Sequence, residues 1–228
     1  MDSHVRSCAV QYYRELSREG RKTGACAMKL PEGLSGKRVV DLLCRKGKGA
    51  YCISDETGDR GFVLGIDPNE SSILVAQQKA AKNHWSGQAW ERYLRFACAF
   101  PEDLSAAGVF DASFDVAYVN SAINTVFDIS LTLAEVARCL KPDGYLWVSQ
   151  GVFRSGSGER SLHEGEGACA GNVFARALSV ERFRELCLQA GFRSVELVDV
   201  APVQPDGTDA QELHGSVSFV SANVRANL

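Results

Sequence analysis

The chain has 228 residues, 45% of them hydrophobic, which suits the core of one α/β domain with a modest extension. The formal net charge of -3 gives no argument for a nucleic-acid partner or an anionic membrane. The first residues, Met-Asp-Ser-His-Val-Arg, lack a signal-peptide core, and no apolar run approaches the ~18 residues of a membrane span, so the cytoplasm is the expected compartment.

Residues 2–20 read as a short helix with Val10, Tyr13 and Leu16 on one face and Gly20 as its stop. Together with the irregular stretch that follows, it makes an extension over residues 1–36, ahead of a domain at 37–228. Residues 38–42 read as a buried strand. A glycine-bearing turn then opens a short helical segment, and residues 62–66 read as a second strand ending in Asp67. Strand, glycine loop, helix, strand and terminal acid make the first unit of a nucleotide-binding α/β sheet. A loop glycine such as Gly47 lets the backbone approach a ligand. Asp67, before Pro68, is the candidate acid for ribose hydroxyls, and it lies 26 residues after Asp41, near the ~20-residue spacing of such units.

Residues 71–83 read as a helix after Asp67-Pro68, with Ile73, Leu74 and Ala81 as apolar contacts. Residues 94–97 are a short third strand, and Phe100 opens its exit loop. Residues 114–119 are a fourth strand running into Asn120 and Ser121. Asp128 is an N-cap, and Leu133, Val136, Ala137 and Leu140 follow the helical period behind it. Lys141-Pro-Asp-Gly144 ends that helix, and residues 145–149 form a fifth strand. Residues 151–172 are a long Gly/Ser-rich loop, a length that points to function or disorder. Ser179 caps a helix over 180–190 that Gly191 terminates. Residues 195–200 and 216–224 read as an antiparallel pair at the sheet edge, with a polar turn at 205–209 between them. The sum is an α/β fold with a seven-stranded, mainly parallel sheet flanked by helices, and no internal repeat.

Eight cysteines is a high count for a reducing compartment. None forms Cys-x-x-Cys, which argues against a ribbon-type zinc site. Cys139 and Cys187 fall within amphipathic helical patterns and Cys98 follows an apolar stretch, so all three are expected in the core. Cys26 and Cys169 lie in small-residue stretches outside the regular pattern and form a candidate soft-metal pair. His163 and His214 sit in polar stretches and are expected at the surface.

Asp41, closing the first strand, points away from a dinucleotide fold. In class I S-adenosylmethionine (SAM) methyltransferases that strand runs into acid-x-Gly-x-Gly-x-Gly. Here Leu43 and Arg45 replace the first two glycines and Gly47 remains. Further pieces match in order along the chain: Tyr12-Tyr13, Lys22-Thr23 through Cys26, Gly65-Ile66-Asp67, Asn120 through Asn124, Leu140-Lys141-Pro142-Asp143-Gly144, Cys169-Ala170-Gly171, and Phe219 through Ala222. By these the chain resembles the arsenite methyltransferases, over nearly its whole length.

The resemblance implies a class I, Rossmann-like methyltransferase fold, SAM as cofactor, and trivalent arsenic held by cysteine thiolates as methyl acceptor. Thiolates suit a soft, thiophilic centre. Holding the acceptor lone pair in line with the sulfonium methyl can supply up to ~7–11 kcal/mol of the barrier. The resemblance places Asp41, Leu43, Arg45, Gly47, Asp67, Pro68, Ala99, Phe100 and Asn120 around the cofactor, and Cys26, Cys169 and Ser121 at the acceptor. Residues 151–172 would be a lid that excludes water.

Three departures stand out. A family block with its own cysteine, between Cys26 and the first strand, is shortened here and that cysteine is absent. The family's Asn-Cys is Asn120-Ser121, and a serine is a poor arsenic ligand. The glycine loop is altered: a Cβ stands where the backbone must lie against the ligand, while Arg45 gains the means to face a carboxylate or phosphate. These departures make a small soft or heteroatom nucleophile the broader expectation for the acceptor. They keep two rivals open: a catalytically silent methyltransferase fold that binds or senses, and a thiol-based metalloid binder.

Overall fold

The computed structural model describes residues 1–19, 27–84, 92–155, 171–205 and 217–228. Cys26, Cys169, His163 and His214, most of the expected lid and the polar turn beyond position 205 lie outside the described residues.

The elements in order are α1 (Ser3–Glu19), β1 (Arg38–Leu42), α2 (Lys48–Thr57), β2 (Phe62–Asp67), α3 (Glu70–Lys79), β3 (Leu94–Cys98), β4 (Phe114–Asn120), α4 (Ile129–Cys139), β5 (Leu140–Ser155), α5 (Val180–Gln189), β6 (Ser194–Val203) and β7 (Ser218–Asn227). The strands form one seven-stranded sheet in the order β3-β2-β1-β4-β5-β7-β6. The first five run parallel, and β7 is antiparallel to both β5 and β6. Between β3 and β4 the described residues hold only a 3-10 turn at Leu104–Ala107.

The central strands are buried on both faces, as parallel strands covered by crossover helices must be. Their side chains alternate between two layers. Val40, Leu42, Ile66 and Val119 face the layer of Tyr13, Leu133 and Phe183, from α1, α4 and α5. Val39, Val63 and Tyr118 face the layer of Ile53 and Ile73, from α2 and α3. The caps behave as expected: Asp128 accepts from the Leu131 amide, Ser179 from that of Arg182, and Gly191 takes a left-handed φ of 105°.

Some expectations change. Val10 and Leu74 are exposed, and Ala9 and Ala76 are buried on the core faces of their helices. Ala81 is exposed as well, with Ala80 buried in its stead. Cys98 is exposed, because the edge strand β3 turns it toward Pro68, whose carbonyl accepts from the thiol at 3.5 Å. Cys139 and Cys187 are buried, and burial pushes both thiols up to about 12, so they act as small hydrophobes. β5 continues to Ser155, paired to β7 there, so the stretch 151–155 is strand rather than loop. β7 pairs on both sides, leaving β6 as the edge. Among the described residues no helix is long and apolar enough to cross a membrane.

Candidate active site

β1 has β2 on one side and β4 on the other, both parallel, so the strand order reverses at β1/β4. In open α/β sheets ligands bind outside the carboxyl ends of the strands at that point. A cleft of about 330 Å³ opens there. The β1–α2 loop lines it with Asp41, Leu43, Arg45 and Gly49, and the end of β4 with Asn120 and Ser121. Sequence reasoning missed the other lining residues, Met28, Cys44, Lys46, Lys48 and Ala122. The lysines were signalled by the basic run Arg45-Lys46-Gly47-Lys48; nothing local signals Met28, which arrives from the extension.

The loop keeps its expected backbone without its expected residues. Leu43, Arg45 and Gly47 have φ of 55°, 52° and 81°. For a residue with a Cβ, the left-handed region costs about 1–2 kcal/mol. Hydrogen bonds fix it: the Cys44 amide to Ile66 O at 2.8 Å, the Arg45 amide to Asp67 Oδ2 at 3.0 Å, and the Gly47 amide to Cys44 O at 3.0 Å. Leu43 is buried and the Arg45 side chain is exposed.

The two acids of the unit have different surroundings. Asp67 is buried, with Oδ2 accepting from the Arg45 amide and Oδ1 from the Asn69 amide at 2.9 Å. Asp41 is 2% exposed, and its Oδ2 has no hydrogen-bond partner among the described residues. Burial first, and the charge of Asp67 second, hold the Asp41 carboxyl well above its ordinary value, against a lowering by the Ala50 amide.

At the other wall, Ser121 has φ 53° and its Oγ donates to Gln150 O at 3.1 Å. Gln150 has φ 52°, and its amide donates to Asn223 Oδ1 at 2.9 Å. The Asn223 Nδ2 donates to Asp199 Oδ2 at 2.9 Å, and Asp199 has φ 54°. The register of β7 against β5 and β6 shifts beside Gln150 and Asp199. The buried Asn223 amide therefore pins two bulges at once, and the first sits next to Ser121.

Gly47, Asp67, Pro68, Ala99 and Phe100 do not line the cleft. A Cβ on Gly47 would meet the rings of Phe96 and Tyr51 at 2.9 Å, so this glycine packs against the core. Asp67 is buried and accepts from the Arg45 amide of the loop, and the half-buried Pro68 follows it. The buried Ala99 sits at the end of β3, its amide donating to Asp67 O at 3.3 Å. Phe100 stacks on Tyr13 of α1 with centroids 5.5 Å apart. α1 lies across the carboxyl ends of β2 to β4, where Ser17 Oγ accepts from Asn69, and Tyr12 and Tyr13 donate to Thr125 O and to the buried Glu102. Among the described residues no group of three or more His, Cys, Asp or Glu is placed to hold a metal.

A methyltransferase-domain family model matches residues 34–187. An arsenite methyltransferase from Aquipseudomonas alcaligenes is 31% identical over 88% of this chain and 57% of its own length. An arsenite methyltransferase from Homo sapiens is 26% identical over 97% of this chain and 58% of its own length. The chain thus spans a little over half the length of these curated relatives. Among solved structures, an arsenic(III) S-adenosylmethionine methyltransferase from Chlamydomonas reinhardtii superposes with a TM-score of 0.75 at 25% identity, over 95% of this chain and 72% of that one. Sheet order, the cleft at the β1/β4 reversal and these likenesses agree: the chain belongs to the methyltransferase-domain family, as a divergent relative of the arsenite methyltransferases.

Proposed function

We propose that this chain transfers the methyl group of SAM to a small nucleophilic acceptor. The observation that carries the reading is the buried Asp41 Oδ2 at the switch-point cleft, without a partner among the described residues. A buried carboxylate oxygen without a donor is costly, and a ligand ammonium supplies one. Gly49 leaves the room: a Cβ there would stand 3.1 Å from Asp41 Oδ2 and 3.5 Å from the Met28 sulfur. The residues present therefore fit the methionine end of SAM, with Asp41 holding its α-ammonium beside Gly49.

Bound SAM supplies an electrophilic sulfonium methyl for an acceptor lone pair. The protein's part is positioning. Asp67 orders the loop through the Arg45 amide, and Asn120 and Ser121 form the wall at the end of β4. The Ser121 hydroxyl is engaged with Gln150 O and does not replace a cysteine thiolate. The acceptor is accordingly a small soft or heteroatom nucleophile. Arsenite, named for the relatives, is the first to assay, with Cys26 and Cys169 as its candidate thiols. A cytoplasmic setting goes with this reading.

Calorimetric titration of the reduced protein with S-adenosylhomocysteine and SAM tests it, followed by a methyl-transfer assay with arsenite and small thiols. Micromolar binding with turnover is expected. Leu43 favours a second reading, since its buried side chain lines the cleft where the family has none. Binding without turnover of any acceptor would identify a silent, ligand-sensing domain. No binding at millimolar ligand would end the methyltransferase reading.

A further inference from the structure

We infer that Arg45 is a carboxylate clamp: its guanidinium holds the α-carboxylate of the same amino-acid end whose ammonium Asp41 receives. The inference rests on the cofactor reading above and assigns that site a specificity residue the glycine loop of its relatives does not have.

Three observations converge. Arg45 holds a φ of 52° that glycine would adopt without strain, and such outliers concentrate where function requires the side chain. Its backbone is fixed by Asp67, its side chain is exposed, and the residue lines the same cleft as Asp41. It forms no ion pair among the described residues, so the charge is available to a ligand. The cleft also takes Lys46 and Lys48, and α2 opens there from Gly47 with no side-chain cap and no acid in its first turn. One buried acid faces this cationic rim. That pattern complements a zwitterion, ammonium inward and carboxylate outward. Arginine suits the outer place, because its planar fork grips a carboxylate through two hydrogen bonds.

The test compares S-adenosylhomocysteine with its decarboxylated analogue, titrated into the parent, Arg45→Gly, Arg45→Lys and Lys48→Ala proteins. Arg45→Gly restores the residue the backbone prefers, so loss of fold is not the expected failure, and a thermal melt checks it. The parent should bind the decarboxylated ligand roughly 10- to 100-fold more weakly, the scale of a lost charge-assisted contact. Arg45→Gly should bind both ligands within about threefold of each other, and Arg45→Lys should fall between. If Arg45→Gly binds S-adenosylhomocysteine as tightly as the parent, or more tightly, Arg45 is a bystander or an obstacle and the clamp is wrong, while the cofactor site stands. If discrimination persists in Arg45→Gly and vanishes in Lys48→Ala, the helix start holds the carboxylate and the assignment to Arg45 fails. If no protein binds S-adenosylhomocysteine, the cofactor reading falls and the clamp with it.

Discussion

Asp41 and Asp67 lie at the carboxyl ends of neighbouring parallel strands inside the sheet, and both are almost wholly buried. Asp67 takes two backbone amides and thereby holds the loop in front of it. Asp41 lines a cleft and has an oxygen without a donor among the described residues. On the cofactor reading proposed above, the difference separates an acid that builds the site from an acid that waits for a ligand. A sequence motif treats the two alike, since each is an acid after an apolar strand.

Removing the building acid should have the largest effect. Asp67→Ala leaves the Arg45 and Asn69 amides without their acceptor, and unmade buried hydrogen bonds cost ~1–3 kcal/mol each. We expect a loss of about 3 kcal/mol, a fall in Tm of roughly 6–12 °C for a chain of this size. A thermal melt checks it, and an unchanged Tm would show that the loop holds its strained shape without Asp67.

Removing the waiting acid should do the reverse to stability. The folded-state value of Asp41 lies above its unfolded one, so ionisation opposes folding. This cost is absent below about pH 4 and grows as pH rises toward the folded-state value. Asp41→Asn removes it, so the variant should match the parent near pH 4 and become the more stable of the two as pH rises. Each unit of difference between the two states is worth about 1.4 kcal/mol. Melts from pH 4 to 8 decide the sign. The same variant should lose S-adenosylhomocysteine affinity about tenfold or more. In the parent, ligand binding should release a proton, seen as a binding enthalpy that varies with the ionisation heat of the buffer.

The contrast also shows what the sequence could and could not reveal. β1, β2 and β4 were legible because buried parallel strands are short unbroken apolar runs, and Asp128 and Ser179 because a cap is decided within a few residues. Asp41, Leu43, Arg45, Asn120 and Ser121 meet in one cleft because the strand ends that carry them are neighbours in the sheet. Phe100 could not be placed, since its partner, Tyr13, lies 87 positions earlier in sequence. The burial of Asp67 was equally hidden, because it depends on hydrogen bonds to Arg45 and Asn69 rather than on residue type. The exposure of Leu74 reflects a helix whose apolar residues, Ile73 to Ala76, run consecutively around it instead of recurring along one face.

The smallest effect is expected from the loop itself, where two replacements of glycine should separate. Leu43 and Arg45 carry nearly the same φ, so glycine relieves similar strain at each, about 1 kcal/mol. At Arg45 the exposed side chain gives up little, and Arg45→Gly should raise Tm by roughly 2–4 °C. At Leu43 the side chain is 4% exposed, and losing a buried leucine costs ~2 kcal/mol or more. Leu43→Gly should therefore be net destabilising despite the easier backbone. Paired melts of the two variants read the difference directly. If both are stabilised, Leu43 contributes no packing to the cleft wall, and its place is open to a ligand, as in a glycine loop. If both are destabilised, the Asp67 hydrogen bond shapes the loop strongly enough that glycine's flexibility only adds unfolded-state entropy.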